Sequence, residues 1–327
     1  MARFARNDGY IGLAKQAAKG TGIAPAYFVK WDGGPKMTPD MDVEKLQEGG
    51  DGQYPGIMLK KKHKPDGSFD LFARPDIAGF LFAMLLGADT IAGTGPYTHT
   101  IIASAPASLP WVTIERSVAG QLIDRIIDSR IKEIKVSGEA GQPVKLAVAY
   151  LGTTEAKQAT PATVTLETDD PFMFWQGTYT LDTADVSGVI PAFKITLSNI
   201  FDEDDFANAI TRADIPLIRR DIKGSFRVKF ENADRFAKTY FGGTSGTAPA
   251  TALTTGNITI DLNYGTGAGA RELKIDLQKI YHTAAKVELA SKEETSQEYD
   301  CEFEGSKGTG DLVTVTAKNA KATSYVV

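Results

Sequence analysis

The sequence predicts a mainly β protein: two tandem antiparallel β-sandwich or barrel units, each with one flanking α-helix. Three observations support this fold class. Apolar and polar residues alternate over long stretches, glycine-bearing turns separate these stretches, and a strand–helix–glycine pattern occurs twice. Alternation with a period of two is typical of strands with one buried face, and short turns join antiparallel neighbours.

The strand predictions come directly from the alternation. It marks strands at residues 144–150, 193–198, 222–230, 258–263 and 273–277. Turn residues at 65–67 and 137–142 predict hairpins.

Two other stretches predict helices. The first extends from Pro75 to Leu86, with proline at its start and Gly87 at its end, and it is apolar on every side. We therefore expect it to be covered on both sides. In the second, Asn232 can act as the N-cap. Its predicted inward face consists of Ala233, Phe236, Ala237, Tyr240 and Phe241, and its outward face of Asp234, Arg235 and Lys238.

The repeated pattern suggests gene duplication. Ser68–Phe69 match Ser225–Phe226 at a separation of 157 residues, and Gly87 matches Gly243 at a separation of 156. A one-residue slip therefore aligns the strand, the helix and the helix stop of both copies. Duplicated units usually serve a protein that presents two equivalent surfaces to its neighbours, which favours assembly over a single catalytic pocket.

The length of 327 residues is sufficient for two domains, each with its own core. We predict a first unit at residues 1–170, with an N-terminal arm and a long loop at 32–53, and a second unit at 171–327. The segments 32–53 and 242–256 show little regular pattern. Long loops of this kind in compact domains are usually functional or disordered.

Composition excludes several classes of protein. The net charge of −5 gives no basic footprint for nucleic-acid binding. The single cysteine, Cys301, excludes an intramolecular disulfide framework and is typical of a reducing cytoplasm. The first nine residues lack the apolar stretch of a signal peptide, and no window approaches the roughly 18 apolar residues of a membrane span. We expect a soluble protein without an export signal.

Few residues suggest chemistry. His63, His99 and His282 lie on separate elements without metal-ligand spacing, and we interpret them as surface or strand-end residues. Cys301 is interpreted as a small core residue. The glycines at 265–269 precede a strand, so they predict a hairpin loop instead of a phosphate loop. We therefore expect no catalytic residue, metal or cofactor.

One acidic segment needs a separate interpretation. Residues 202–205 are all acidic and could hold Ca²⁺, but they lack the glycine and the terminal glutamate of an EF-hand loop. We interpret them as a solvated acidic loop.

Three segments, in this order along the chain, are similar to recurrent segments of tail tube proteins from long-tailed bacteriophages. They are Tyr97-Thr98-His99-Thr100-Ile101, Leu109-Pro110-Trp111-Val112-Thr113-Ile114-Glu115-Arg116 and Val136-Ser137-Gly138-Glu139-Ala140-Gly141. The resemblance extends from about Tyr10 to the end of the chain. It implies a β-sandwich with a flanking helix, assembled into rings that stack into the conduit for DNA ejection.

The resemblance also implies partners and a location. Single-unit members of this family form hexameric rings, and duplicated members form trimers with pseudo-sixfold symmetry. The internal repeat favours a homotrimeric ring here. The expected partners are further copies of the chain, the tape measure, tail terminator and distal tail proteins, and DNA that passes without specific binding. We expect the protein in the virion tail after synthesis in the host cytoplasm.

Particular residues are expected at the surfaces of such a tube. We predict an acidic or neutral channel wall, with lumen-facing candidates Asp261, Asp276, Asp300, Glu302 and Glu304. Candidate contacts between rings or subunits are Phe4, Pro39, Met41, Val43, Phe82 and Leu86. The first helix is expected to place Phe82 and Leu86 against a neighbouring subunit, and rings are expected to stack through residues 1–9 and the loop at 32–53.

Two other classes remain open. An adhesive or carbohydrate-binding decoration module of a virion would have similar strands, but it should show an aromatic platform. Trp31, Trp111 and Trp175 are scattered along the sequence. An enzyme is the weakest alternative, because no acid/base or nucleophile constellation is present.

Overall fold

The computed structural model describes residues 9–50, 53, 56–229, 233–287, 298–305 and 312–327. The protein is mainly β with antiparallel sheets and two helices, which confirms the predicted fold class. The described strands are β1 Tyr10–Lys15, β2 Tyr27–Val29, β3 Trp31–Lys36, β4 Asp40–Leu46, β5 Ile57–Lys64, β6 Gly67–Phe72, β7 Gly87–Ala92, β8 Tyr97–Ala103, β9 Val112–Val118, β10 Leu122–Glu139, β11 Lys145–Leu151, β12 Thr154–Lys157, β13 Gly177–Leu181, β14 Ala184–Asp185, β15 Ala192–Phe201, β16 Leu217–Lys229, β17 Thr255–Tyr264, β18 Arg271–Val287, β19 Glu298–Gly305 and β20 Val313–Asn319. The helices are α1 Pro75–Leu86 and α2 Asp234–Phe241.

The predicted alternation is visible in the burial of the strands. In β15, Phe193 and Ile195 are buried and Lys194 between them is exposed. A strand places successive side chains on opposite faces, so this pattern gives each sheet one apolar and one polar face. The glycines at 265–269 join β17 to β18 in a hairpin, as predicted.

The order of hydrogen-bonded strands occurs twice. The order β3–β6–β11–β10 is repeated as β15–β16–β19–β18, where the C-terminal halves of β10 and β18 take part. The order β2–β1–β9–β10–β12 is repeated as β14–β13–β17–β18–β20, where their N-terminal halves take part. Each set contains one helix, α1 after β6 and α2 after β16. Among the described residues, two hairpins, β4–β5 and β7–β8, occur in the first set without an equivalent in the second.

The two sets of strands are joined. Strand β10 pairs with β15, and β8 pairs with β20. The first of these pairs connects both four-strand orders into one run of eight strands, β3–β6–β11–β10–β15–β16–β19–β18. A single cluster of buried apolar side chains extends through both sets, from Ile11 to Tyr325.

Helix α1 lies inside this shared core. All of its residues except Asp76 are buried, so the expectation of cover on both sides is confirmed. The helix ends at Gly87, whose φ of 99° is left-handed and suits glycine. However, Phe82 and Leu86 are 0% and 3% exposed within the single chain. Their assignment to a contact with a neighbour is therefore wrong, because strands of the same chain already cover them.

The segment at 32–53 was predicted as a loop, and this is also wrong. It contains most of β3 and all of β4, and β4 pairs with β5 from Asp40↔Lys64 to Leu46↔Ile57. The alternation of Asp40, Met41, Asp42 and Val43 indicates a strand. The surrounding glycines and prolines concealed this signal. The second predicted loop contains no helix or strand from residue 242 to 254, and β17 begins at Thr255.

Candidate assembly surfaces

The hairpin β4–β5 forms a separate two-stranded sheet and exposes apolar side chains. Met41 and Met58 are 54% and 62% exposed, and Val43, Ile57 and Leu59 are also exposed. A two-stranded hairpin is at best marginally stable in water without further packing. Several large apolar side chains exposed on one small element commonly mark a site of interaction with another protein. The hairpin is therefore a candidate contact surface.

The base of this hairpin is attached to the loop after β15. Lys62 Nζ lies 3.0 Å from Asp204 Oδ1, and Lys64 Nζ lies 3.6 Å from the same oxygen. Both ammonium groups also lie over the ring of Phe206. The backbone N–H of His63 donates to the carbonyl oxygen of Ile210 at 2.7 Å. These contacts orient the hairpin relative to the main sheets.

Arg212 strengthens this attachment from the interior. Its side chain is fully buried and pairs with Asp66 in the β5–β6 turn. It also donates to the carbonyl oxygens of Gly152 at 2.9 Å and Glu203 at 2.8 Å. The acidic segment 202–205 is a loop, as interpreted, and the Asp204 side chain is 69% exposed. In addition, the Glu203 carbonyl contacts Arg212 and Asp204 contacts Lys62 of the hairpin. Sequence alone gave no signal for this contact, since the residues involved are far apart in the chain.

The residues predicted for contacts between rings or subunits lie in different places. Met41 and Val43 are exposed on β4, as that role requires, and Pro39 is half-buried just before this strand. Phe4 lies outside the described residues. These assignments remain predictions.

A second candidate surface is the polar face of the eight-strand run. Its residues form rows in register across the strands. One row is Asp70, Ala147, Lys135, Thr196 and Lys223, and the next is Ser68, Ala149, Glu133, Ser198 and Asp221. The side chains are small or polar, and several of their charges are paired. Lys135 lies 2.8 Å from Glu133, and Lys145 lies 2.7 Å from Asp32.

The residues predicted to face the lumen fall on two different sets of strands. Asp261 and Asp276 lie on β17 and on the N-terminal half of β18, outside the eight-strand run. Asp276 accepts a hydrogen bond from Thr259 at 2.7 Å and lies 3.0 Å from Lys274. Strand β19 carries Asp300, Glu302 and Glu304 opposite Arg227, Ser225 and Lys223 of β16. The side chains of these three acids lie outside the described residues.

A third candidate surface is helix α2. Ala237 is its only buried residue, and Tyr240 is 39% exposed. Asn232, the predicted N-cap, lies outside the described residues. Lys238, predicted to point outward, instead lies 2.7 Å from Asp182 in the β13–β14 turn. The helix ends at Gly242, one residue before the predicted stop, with a φ of 73°.

The three histidines each contact a carboxylate. Their ring nitrogens lie 3.2 Å from Glu155 (His63), 3.1 Å from Asp89 (His99) and 3.3 Å from Asp182 (His282). The interpretation of His99 as a surface or strand-end residue is wrong, since it lies inside β8 and is 0% exposed. Within the described ranges, no group of three or more potential ligands could hold a metal ion.

A family model described as phage tail tube protein matches residues 6–305. The comparison with curated proteins gives no match. In the described part of the chain, neither helix has the length and apolar character needed to cross a membrane.

Proposed function

The chain belongs to the phage tail tube protein family, and we propose that it assembles into stacked rings that form the conduit for DNA ejection. The observation that carries this proposal is the repeated strand order, which gives one chain two equivalent sets of sheets. A protein of this family is a structural component of the virion tail. Ring formation requires a surface that binds the next copy head to tail, and closed rings satisfy every such contact.

We propose that each ring contains three chains and therefore six tube units. The first unit would comprise residues 1–170 and the second 171–327. The eight-strand run ends at β3 on one side and at the C-terminal half of β18 on the other, among the described residues. Unpaired edges tend to pair with other strands. Joining β3 of one copy to β18 of the next would close the sheet around the ring.

The polar face of the eight-strand run would line the lumen. Its paired lysines and acids leave little uncompensated positive charge, as in Lys135–Glu133 and Lys223–Asp221. Non-specific DNA affinity comes mainly from cations that neutralise phosphates. A charge-balanced wall would therefore let DNA pass without binding it tightly. Because β19 belongs to this run, Asp300, Glu302 and Glu304 remain candidates for the wall, and Asp261 and Asp276 become weaker ones.

The hairpin β4–β5 would connect one ring to the next. It exposes apolar side chains, and its base contacts the loop after β15. Residues 1–9 remain a second candidate for stacking. The tape measure protein would lie in the lumen, and the terminator and distal tail proteins would cap the two ends.

Cryo-microscopy of the purified, assembled protein tests whether rings form and how many copies each ring contains. We expect tubes or rings with threefold symmetry and three copies per ring. True sixfold symmetry with six copies would contradict the trimer, and a protein that stays monomeric at all concentrations would contradict the assembly itself.

Substitutions in the hairpin test the stacking. The double variant Met41→Asp/Met58→Asp should still form rings but should lose long tubes, because charged residues would replace the exposed apolar contact. The matched control Met41→Leu/Met58→Leu keeps the apolar surface and should form tubes of normal length. Tubes of normal length from the aspartate variant would exclude the hairpin as the stacking element.

A further inference from the structure

Helices α1 and α2 occupy equivalent places in the repeated strand order but differ in cover. Each follows the second strand of a four-strand order, β6 for α1 and β16 for α2. Eleven residues of α1 are buried, whereas Ala237 is the only buried residue of α2. The difference indicates that, among the described residues of one chain, part of the cover of α1 has no equivalent over α2.

The additional cover of α1 comes from the other half of the chain. Asn319 at the end of β20 donates to the carbonyl oxygen of Pro75 at 3.3 Å. Tyr325, in the segment after β20, is buried and donates to Asp76 Oδ1 at 2.7 Å. Its ring lies directly over Gly79, where a Cβ atom would come within 2.8 Å of the tyrosine oxygen. Strand β20 and residues 320–327 therefore close one side of α1.

The repeated strand order identifies the strand in the first half that is equivalent to β20. Strand β20 pairs with the N-terminal half of β18, and β12 pairs in the same way with the N-terminal half of β10. Thus β12 occupies the place in the first half that β20 occupies in the second, and β12 is followed by a segment at residues 158–166. That segment exposes two apolar residues, Val164 and Leu166, each at 43%.

The surface of α2 has the matching character. Tyr240 packs against Phe236, with ring centroids 4.6 Å apart, and remains 39% exposed. Leu253 in the following loop is 56% exposed. This loop is held against the helix, since Ala250 N–H donates to the carbonyl oxygen of Tyr240 at 2.8 Å and Thr254 Oγ1 to that of Lys238 at 2.8 Å. The helix and the following loop therefore expose two large side chains, Tyr240 and Leu253, which we call the α2 patch.

We propose that β12 and residues 158–166 of a second copy cover the exposed side of α2, as β20 and residues 320–327 cover α1 within one copy. The inference rests on the proposed ring, because a ring of duplicated units alternates contacts within a chain with contacts between chains. It assigns the contact between chains to Tyr240 and Leu253 on one copy and to Val164 and Leu166 on the next.

Charged substitutions in the α2 patch test this inference. In the full chain, Tyr240→Glu/Leu253→Glu should reduce the yield of rings at least tenfold, measured by sedimentation velocity. The matched control Tyr240→Phe/Leu253→Met keeps the patch apolar and should assemble like the original protein. Circular dichroism and thermal unfolding must show that the glutamate variant is folded. Assembly of this variant at the original yield would overturn the inference but not the proposed function, whereas failure of the original protein to form rings would contradict the proposed function.

Crosslinking gives a second test that does not depend on the folding of a charged variant. With Cys301 replaced by alanine, Leu253→Cys and Leu166→Cys are introduced together, and assembled rings are treated with a short bis-maleimide. We expect covalent dimers and trimers on a denaturing gel, and only monomers from each single-cysteine control. If assembled rings carrying both cysteines yield only monomers, the two segments do not meet and the inference is wrong.

Discussion

Arg212 and Asp66 form an ion pair in which Nη2 of the arginine donates to Oδ2 of the aspartate at 2.7 Å, across 146 positions of the chain. The arginine side chain is fully buried. The pair joins the loop after β15 to the turn between β5 and β6. It therefore connects the element proposed for ring stacking to the second half of the chain.

Loss of the aspartate charge should destabilise the protein. In Asp66→Asn, the guanidinium group of Arg212 would stay buried without its ionic partner, which typically costs about 3 kcal/mol. Chemical denaturation at neutral pH measures the change in the free energy of unfolding. Asp70→Asn, on the exposed face of β6, is the control and should change it by less than about 0.5 kcal/mol. Equal stability of both variants would show that the ion pair contributes nothing.

Glu167 should make stability depend on pH near neutrality. Its carboxylate accepts hydrogen bonds from the N–H groups of Asp76 at 2.7 Å and Ile77 at 3.1 Å, at the start of α1. Burial nevertheless raises the pKa of Glu167 from 4.5 to about 7. The folded state then binds the proton more tightly than the unfolded state does. Its contribution to stability is therefore lost as pH rises from about 4.5 to about 7.

The variant Glu167→Gln replaces this titrating carboxyl group with an amide that does not titrate. Its free energy of unfolding relative to the original protein should rise by about 1 to 3 kcal/mol between pH 4.5 and pH 7.5. Denaturation curves at several pH values measure it. Glu139→Gln, at the exposed end of β10, is the control and should show a constant difference across this range. If the difference for Glu167→Gln is also constant, Glu167 is not the source of the pH dependence.

Gly79→Ala should destabilise the protein, although alanine usually stabilises a helix interior by about 1 kcal/mol relative to glycine. The new Cβ atom would lie within 3.0 Å of three atoms of the Tyr325 side chain. Overpacking of this kind costs about 1 to 3 kcal/mol. Thermal unfolding measures the change. In a Tyr325→Ala background the same substitution should be neutral or stabilising, and an unchanged penalty there would show that Tyr325 is not the cause.

Asp182 should stabilise α2 through its charge. Burial alone would raise the pKa of Asp182, but hydrogen bonds from His282 and Lys238 outweigh it and lower the pKa to about 2. This contribution is present above pH 3.8 and is lost as pH falls towards 2. Asp182→Asn should therefore cost about 1 to 2 kcal/mol at pH 7 and less at pH 3.

Hydrogen exchange of the α2 amides is the local measurement for this variant. Residues 237–241 should exchange faster in Asp182→Asn at pH 7, because Lys238 no longer has an ionic partner in the β13–β14 turn. Asp185→Asn, in the neighbouring strand β14 and exposed, should leave their exchange unchanged. If exchange is unchanged in both variants, the ion pair between Lys238 and Asp182 does not stabilise α2.

The sequence by itself determined the features that depend on neighbours along the chain. Alternation predicted β15 and the β17–β18 hairpin because a strand turns its side chains to opposite faces. Proline at the start and glycine at the end predicted α1, because both residues act on local backbone geometry. The resemblance of three short segments, in their order along the chain, was sufficient to predict the family, which the match over residues 6–305 confirms.

Only the tertiary structure decided which residues meet across the chain. Phe82 and Leu86 are as apolar as an interface requires, and the sequence could not show that strands of the same chain cover them. The acidic segment 202–205 gained its role from Lys62 and Arg212, far away in sequence. Register and burial arise from contacts between distant elements, and these contacts leave no periodic signal in a single sequence.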